Sequence, residues 1–467
     1  MPAELWRSLV ISFKSSKMRI LIHSLNFSPE PTGVGKYTGE MAQWLADQGH
    51  DIRVVTAPPH YPQYRIFDGY SSWRFGREKH ASESSLPGIV EVFRCPVWVP
   101  REPRGWKRIL HLMSFSLCSW PVMLRQVGWK PDVVLLLEPT ICCSLGALTL
   151  ARLSGAISWL HVQDFEVDAA FSLTDFSSPR LRRWVLAIER LVLSKFDRVS
   201  AISERMVERL SAKGVDPVRR VLFPNWVDTS VIYPMPVPSP LRQELQISPQ
   251  ATVALYSGSM GKKQGLELLI EASRRLAHRT DIQFVFCGDG SFREALVRMT
   301  ENSENVIVLP LQPAERLNHL LNLADVHLLP QLADAADLVM PSKLTGMMAS
   351  GRAVLATAAP GTQLFHAVLG CGMVTPPGDV NAFTAALIQL ADDGRLRNRM
   401  GEEGRKYAIT CLNRDEVLQR FEVALLEARD FSPLNSQAAA TTVIDIDNRE
   451  CKAVQEVAMT PGKAGDD

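Results

Sequence analysis

Residues 18–57 read MRILIHSLNFSPEPTGVGKYTGEMAQWLADQGHDIRVVTA, and this stretch decides the fold. Met18–Ser24 is a short apolar-rich run, the length and composition of a buried strand. Leu25–Thr32 is a loop leading into Gly33-Val34-Gly35. Across 36–48, Tyr37, Met41, Trp44 and Leu45 recur at helical spacing, and Gly49 is a helix stop. Asp51–Ala57 is the next strand. A strand, loop, helix and second strand in this order open a doubly wound parallel sheet.

The alternation continues outward from there. Further strands are expected at 88–96, 132–137, 157–162 and 198–202, with helices at 107–127, 141–154, 180–195 and 204–212. Five prolines between Pro234 and Gln250 mark a linker. The pattern then restarts: strand 252–256, a Gly-rich loop 258–265, helix 266–276, then strands at 282–287, 305–309, 325–329 and 353–357. The expected organisation is a leader (1–17), a Rossmann-like domain (18–228), a linker (229–250), a second Rossmann-like domain (251–414), a helix (415–430) and a disordered tail (431–467). The tail carries 3 Lys and Arg against 6 Asp and Glu. The leader has no cleavable signal pattern, and an upstream start codon is favoured over a weak amphipathic anchor.

Composition narrows the function. The 467 residues carry 51 Lys and Arg against 50 Asp and Glu, which disfavours general nucleic-acid binding. The eight cysteines form no CxxC pair, and the ten histidines form no HExxH motif, so neither a zinc site nor another catalytic transition-metal site is expected, while a loosely held Mg²⁺ stays open. The thiols read as small buried residues of a reducing compartment. No run of 18 apolar residues predicts a membrane span.

Two facing Rossmann-like halves place ligands at the C-terminal ends of their strands and on helix N-termini. Gly33 and Gly35 do not have dinucleotide spacing, and the second strand ends Val55-Thr56-Ala57 with no ribose-binding acid, so NAD is disfavoured. There is no P-loop. The glycines still permit close backbone approach to a phosphate or sugar, unless they only form a tight loop. In the second half, Gly258, Gly261, Lys262 and Lys263 open a helix and suit a diphosphate. Gly288 and Gly290 follow a strand and could shape a nucleotide wall. Ser342 and Lys343 stand in the first turn of another helix, followed by Leu344 and Thr345. A lysine there opposes the helix dipole but suits an anion.

These segments together resemble the family-4, GT-B glycosyltransferases, from about Met18 to Arg429. The ordered set is EPTGVGKYTGEMAQWLADQGH, SAISE (200–204), PNWVD (224–228), YSGSMGKKQGLELLIEA, FCGDG, ADVHLLP, VMPSKLTGMMASGRAV and PPGD (376–379). PSKLT and PNWVD are most similar to the colanic-acid-type exopolysaccharide glycosyltransferases. The resemblance implies an α/β fold of two Rossmann-like domains around a cleft. It implies retaining transfer from a nucleotide diphosphate-sugar, with GDP-sugars and GDP-fucose favoured, to a lipid-linked saccharide. No metal or other cofactor is implied, so Gly33, Gly35, Lys262, Lys263, Ser342 and Lys343 would hold the diphosphate. Gly258, Gly261, Gly288, Gly290, Leu344 and Thr345 would line the nucleotide and sugar pocket, with Asn225 and Trp226 at the cleft. Departures from the family are Leu338 and Gly346 at its paired Glu positions, and Ser259 and Gln264 at its Arg and Lys.

The first domain is expected to bind the acceptor. Asp164, at a strand end, is the favoured candidate to accept or position the acceptor proton, and His161 the second. The plain alternatives are a turn-capping Asp and a buried strand His. Residues 101–130 hold six Lys or Arg, one acid and Trp106, Trp120 and Trp129. This suits a helix lying on an anionic membrane, against the alternative of a buried Rossmann helix. The resemblance, through its lipid-linked acceptors, then implies a cytoplasmic enzyme peripheral on the inner membrane face. Two other functions fit the fold: a nucleotide-sugar epimerase, which needs no acceptor, and a two-lobed sugar-binding protein, which is usually exported.

Overall fold

The computed structural model describes residues 17–81, 88–101, 105–137, 141–165, 178–261, 264–332 and 341–430. The chain divides into two units. The first holds an eight-stranded sheet in the order β3-β4-β2-β1-β5-β6-β7-β8. Its strands are β1 (Arg19–His23), β2 (Asp51–Thr56), β3 (Gly76–Ala81), β4 (Ile89–Arg94), β5 (Val133–Leu137), β6 (Ile157–Val162), β7 (Arg198–Ala201) and β8 (Arg220–Leu222). All pairings are parallel except β3 against β4. The central strands are apolar on both faces because helices cover both: every residue of β5 and β6 is buried.

The second unit holds a six-stranded sheet, parallel throughout, in the order β11-β10-β9-β12-β13-β14. These are β9 (Thr252–Ser257), β10 (Ile282–Cys287), β11 (Val306–Leu309), β12 (Val326–Leu329), β13 (Ala353–Thr357) and β14 (Gly372–Thr375). The strand-order reversals, at β1/β5 and β9/β12, are where such sheets open a crevice at their C-terminal strand ends. The central strands stand where sequence patterning put them. β3, β8 and β14 did not show in it. β3 is a charged edge strand (GREKHA), β8 has 3 residues and β14 has 4.

Two features depart from simple sequence blocks. The Pro-rich stretch is packed rather than extended. Pro240–Glu244 is helical, and Leu241 and Ile247 are buried with Val253 and Leu255 of β9. Also, the helix Arg414–Asp430 contributes its residues from Leu418 onward to the first unit. There Phe421 stacks on Phe223 (centroids 3.9 Å apart) and meets the buried Trp159 edge-on at 5.3 Å. The His50 Nε2–H donates to Glu422 at 2.9 Å, while its Nδ1 accepts from the Met18 amide.

Cys95, Cys118, Cys142, Cys143, Cys287 and Cys371 are free thiols, four of them buried. Cys411 is disulfide-bonded, which departs from the expectation of thiols alone.

Candidate functional site

In the first unit, the chain leaving β1, β2 and β6 and the helix Trp106–Arg125 enclose a cavity of about 240 Å³. Asn26, Gly33, His60, Tyr61, Tyr64, Arg108, His111 and Asp164 line it. Asp164 follows β6, and burial pushes its carboxyl up to about 7, with Arg108 acting against that shift. It therefore exchanges a proton near neutral pH, the property a general base needs.

The histidines of the cavity are locked by backbone carbonyls. His60 Nδ1–H donates to Pro58 at 2.9 Å and His111 Nδ1–H to Trp98 at 2.6 Å. Their rings stand edge to face, 5.1 Å apart. Burial lowers both pKa values, that of His111 to about 4, so both are neutral and Nε2 is the acceptor nitrogen.

Glu30 organises this wall from within. One carboxylate oxygen accepts the amides of His60 and Tyr61, each at 2.9 Å, and the other accepts Asn26 Nδ2 at 2.9 Å. Gly35 is small for the same reason: a Cβ there would sit 2.5 Å from Glu30 Oε2 and 2.7 Å from its Cβ. The close approach at Gly35 is thus to this carboxylate. Gly33 differs, since it has φ +65°, lines the cavity, and begins the helix Gly33–Asp47, whose N-cap Thr32 makes no side-chain capping bond. Its first-turn N–H groups suit an anion. Gly35→Ala is expected to lower stability by about 1–3 kcal/mol through displacement of Glu30. Thermal unfolding of the variant measures this, and an unshifted midpoint would contradict it.

His161 is placed elsewhere. It is buried in β6, where it receives the Gln163 amide on Nε2 and donates from Nδ1 to Ser200 Oγ, both at 2.9 Å. It packs on Phe223 at 4.8 Å, and burial lowers its pKa to about 3. These contacts make it a neutral, satisfied core histidine, outside the cavity lining.

In the second unit, the loops after β9 and β10 and the helix Lys343–Ala349 bring Gly258, Gly288, Gly290 and Lys343 into one region. Lys343 Nζ is buried with no hydrogen-bond partner among the described residues and lies 4.2 Å from the centroid of Tyr256. Burial lowers its pKa to about 7. A Cβ at Gly258 would be 3.4 Å from Lys343 Cδ. Gly288 and Gly290 serve loop packing: Cβ atoms there would lie 1.9 Å from the Gly258 carbonyl and 2.6 Å from that of Met260. Gly261 faces open space. Ser342 makes no side-chain cap, so its hydroxyl is not committed to the helix. Leu344 is packed inside among apolar residues including Leu329 and Met348, and the Thr345 hydroxyl donates to Ser342 O at 2.9 Å. Both therefore act as supports of the helix Lys343–Ala349. Lys262 and Lys263 lie outside the described residues, as does Leu338. Trp226 is 2% exposed, and Asn225 is also buried, with no hydrogen-bond partner for its Oδ1 among the described residues; both belong to the second unit.

Sequence reasoning missed Asn26, His60, Tyr61, Tyr64, Arg108 and His111 as cavity residues, and Glu30 as the group that holds three of them. A signal did exist for some of them: Pro58-Pro-His-Tyr-Pro-Gln-Tyr64 is a rigid, aromatic loop directly after a buried strand. Among the described residues, no group of three His, Cys, Asp or Glu side chains could hold a metal ion, and no helix is long and apolar enough to cross a membrane.

Two Rossmann-like parallel sheets of this kind define the GT-B class of glycosyltransferases. Residues 32–226 match the glycosyl transferase 4-like domain and 239–407 the glycosyl transferases group 1 domain. The chain is 38% identical over 414 residues to the putative colanic acid biosynthesis glycosyl transferase WcaI of Escherichia coli (strain K12), covering 86% of this chain and 98% of that protein. It is 23% identical over 432 residues to the MMP alpha-(1->4)-mannosyltransferase of Mycolicibacterium hassiacum, covering 86% and 96%. The chain belongs to the family-4 glycosyltransferases, with the colanic-acid-type enzymes as relatives. Among solved structures, sucrose-phosphate synthase from Thermosynechococcus elongatus has a TM-score of 0.69 at 17% identity, covering 89% of this chain and 100% of that one. WaaG, a glycosyltransferase involved in lipopolysaccharide biosynthesis, has 0.60 at 18%, covering 87% and 98%.

Proposed function

We propose that this glycosyltransferase moves a sugar from a nucleotide diphosphate-sugar to a lipid-linked saccharide in exopolysaccharide biosynthesis, with retention and without a metal ion. The observation that carries the reading is Lys343 Nζ, a buried amine with no hydrogen-bond partner among the described residues, beside loops at strand C-termini. An anionic ligand is the partner such a group lacks. The leaving diphosphate would take its charge stabilisation from Lys343, the Ser342 hydroxyl and Lys262 and Lys263. Asp164 would accept or orient the acceptor hydroxyl, with the neutral Nε2 atoms of His60 and His111 as further acceptors. GDP-sugars, GDP-fucose among them, are favoured by the similarity to the colanic-acid-type group.

Peripheral binding to the inner membrane face belongs to the same proposal. The helix Trp106–Arg125 points Arg108, His111 and Leu112 at the cavity. Its outer side exposes Trp106, Ile109, Leu110, Met113 and Leu117. Trp120 and Trp129 are half-buried, so Trp106 is the exposed tryptophan of the three. An acceptor whose lipid stays in the bilayer would reach the cavity beside this face.

Incubation with candidate nucleotide sugars tests the function. Nucleoside diphosphate release that requires added acceptor is the expected result. Interconversion of the nucleotide sugar without acceptor would instead support an epimerase, and tight sugar binding without turnover a binding protein.

A further inference from the structure

A second helix of the first unit, Pro179–Leu193, contributes no residue to the cavity lining. Its sequence is PRLRRWVLAIERLVL. Trp184, Ile188 and Leu191 are 71%, 57% and 58% exposed and recur at i, i+4 and i+7, forming one stripe. Arg183 and Arg190 are exposed on the neighbouring column, with Arg180 and Arg182 also exposed at the helix start. The single acid of the helix, Glu189, is turned inward and paired with Lys213 at 2.6 Å. The outer face therefore carries only arginine charge beside its apolar stripe.

Helix stability does not explain this face. Arginines in a first turn oppose the helix dipole, and large exposed apolar side chains gain nothing from water. A second copy of the chain is a poor occupant, because a two-fold contact would set these arginines against one another. An apolar stripe bordered by arginine matches the chemistry of an anionic bilayer, with its phosphate headgroups above acyl chains.

We propose that the helix Pro179–Leu193 is a docking element for anionic lipid, acting in addition to the helix Trp106–Arg125. The inference extends the membrane reading above, and separate variants distinguish the two.

The test is flotation of the full chain with phosphatidylcholine vesicles, with and without phosphatidylglycerol. Wild-type protein is expected to float with the anionic vesicles. R180Q/R183Q/R190Q should weaken this binding roughly a hundredfold, from about 1 kcal/mol per basic residue near the surface. W184S/I188S/L191S should weaken binding at all salt concentrations. Thermal unfolding checks that each variant stays folded, as these side chains lie on the surface. If both variants float like wild type, or wild type does not float, the proposal is overturned. If W184S/I188S/L191S only disperses a dimer, the face is a contact between copies and the proposal is equally overturned. An I109S/L117S variant that floats like wild type would remove the first helix from membrane binding while leaving this inference standing.

Discussion

Lys343→Met is expected to cut sugar transfer by about 10²–10³-fold while raising thermal stability. The activity loss is that of removing one preorganised electrostatic group from a leaving oxyanion. The stability gain follows from the buried, unpartnered Nζ, whose removal should relieve about 1–3 kcal/mol. Because the folded pKa of about 7 lies below the ordinary lysine value of 10.5, the unfolded chain binds more protons between those values. The destabilisation is therefore full below about pH 7 and diminishes as pH rises through the window, so the Met variant gains most below pH 7. The same shift makes donor binding a proton-uptake reaction. A diphosphate beside Lys343 restores its charge, so near pH 8 binding should take up close to one proton. Calorimetry in two buffers of different ionisation heat measures the uptake. Unchanged turnover in the Met variant, or donor binding with no proton uptake, would refute the phosphate role.

Asp164→Asn should lower kcat by about 10²–10⁴-fold, the usual contribution of a positioned acid or base. The wild-type pH profile should rise through about pH 7, where Asp164 loses its proton, and the Asn variant should lack that inflection. The stability effect has the opposite sign to that of Lys343. A carboxyl whose folded pKa is raised contributes stability that is fully present below about pH 4 and lost as pH rises through about 7. Asn removes this dependence, so the variant should gain thermal stability over wild type at pH 8 but not at pH 4. A wild-type-like rate and pH profile in the Asn variant would leave Asp164 a turn residue.

What was readable in advance follows from what each residue type must do alone. β1, β5 and β9 are buried on both faces over nearly their whole length, so their apolar runs stand out without knowledge of their neighbours. β3 is an edge strand whose partner, β4, supplies most of its reason to exist. Arg77 reaches Glu91, and Arg94 reaches Glu78, from strand to strand. Asp164 and Lys343 were visible because a charge at a strand end or helix start has few structural uses. Glu30, His60 and His111 were not, because two lie on separate loops and the third on the helix Trp106–Arg125, and they meet only once β1 and β2 are paired and that helix lies over them. His161 shows the reverse error: a histidine at a strand end resembles a catalytic one until Ser200 and Gln163 are seen to occupy both ring nitrogens.

The terminal helix has a bearing on biosynthesis. Phe421 covers Trp159 and Phe223 in the first unit, yet almost the whole second unit is translated between them. On the ribosome, the first unit must wait with part of its core uncovered until Phe421 has been made. The second unit, contiguous from Asn225 to Val417 among the described residues, carries no such debt. The order of synthesis and the order of completion are thus reversed. A fragment ending at Pro224 would lack the aromatic plug that closes its own core.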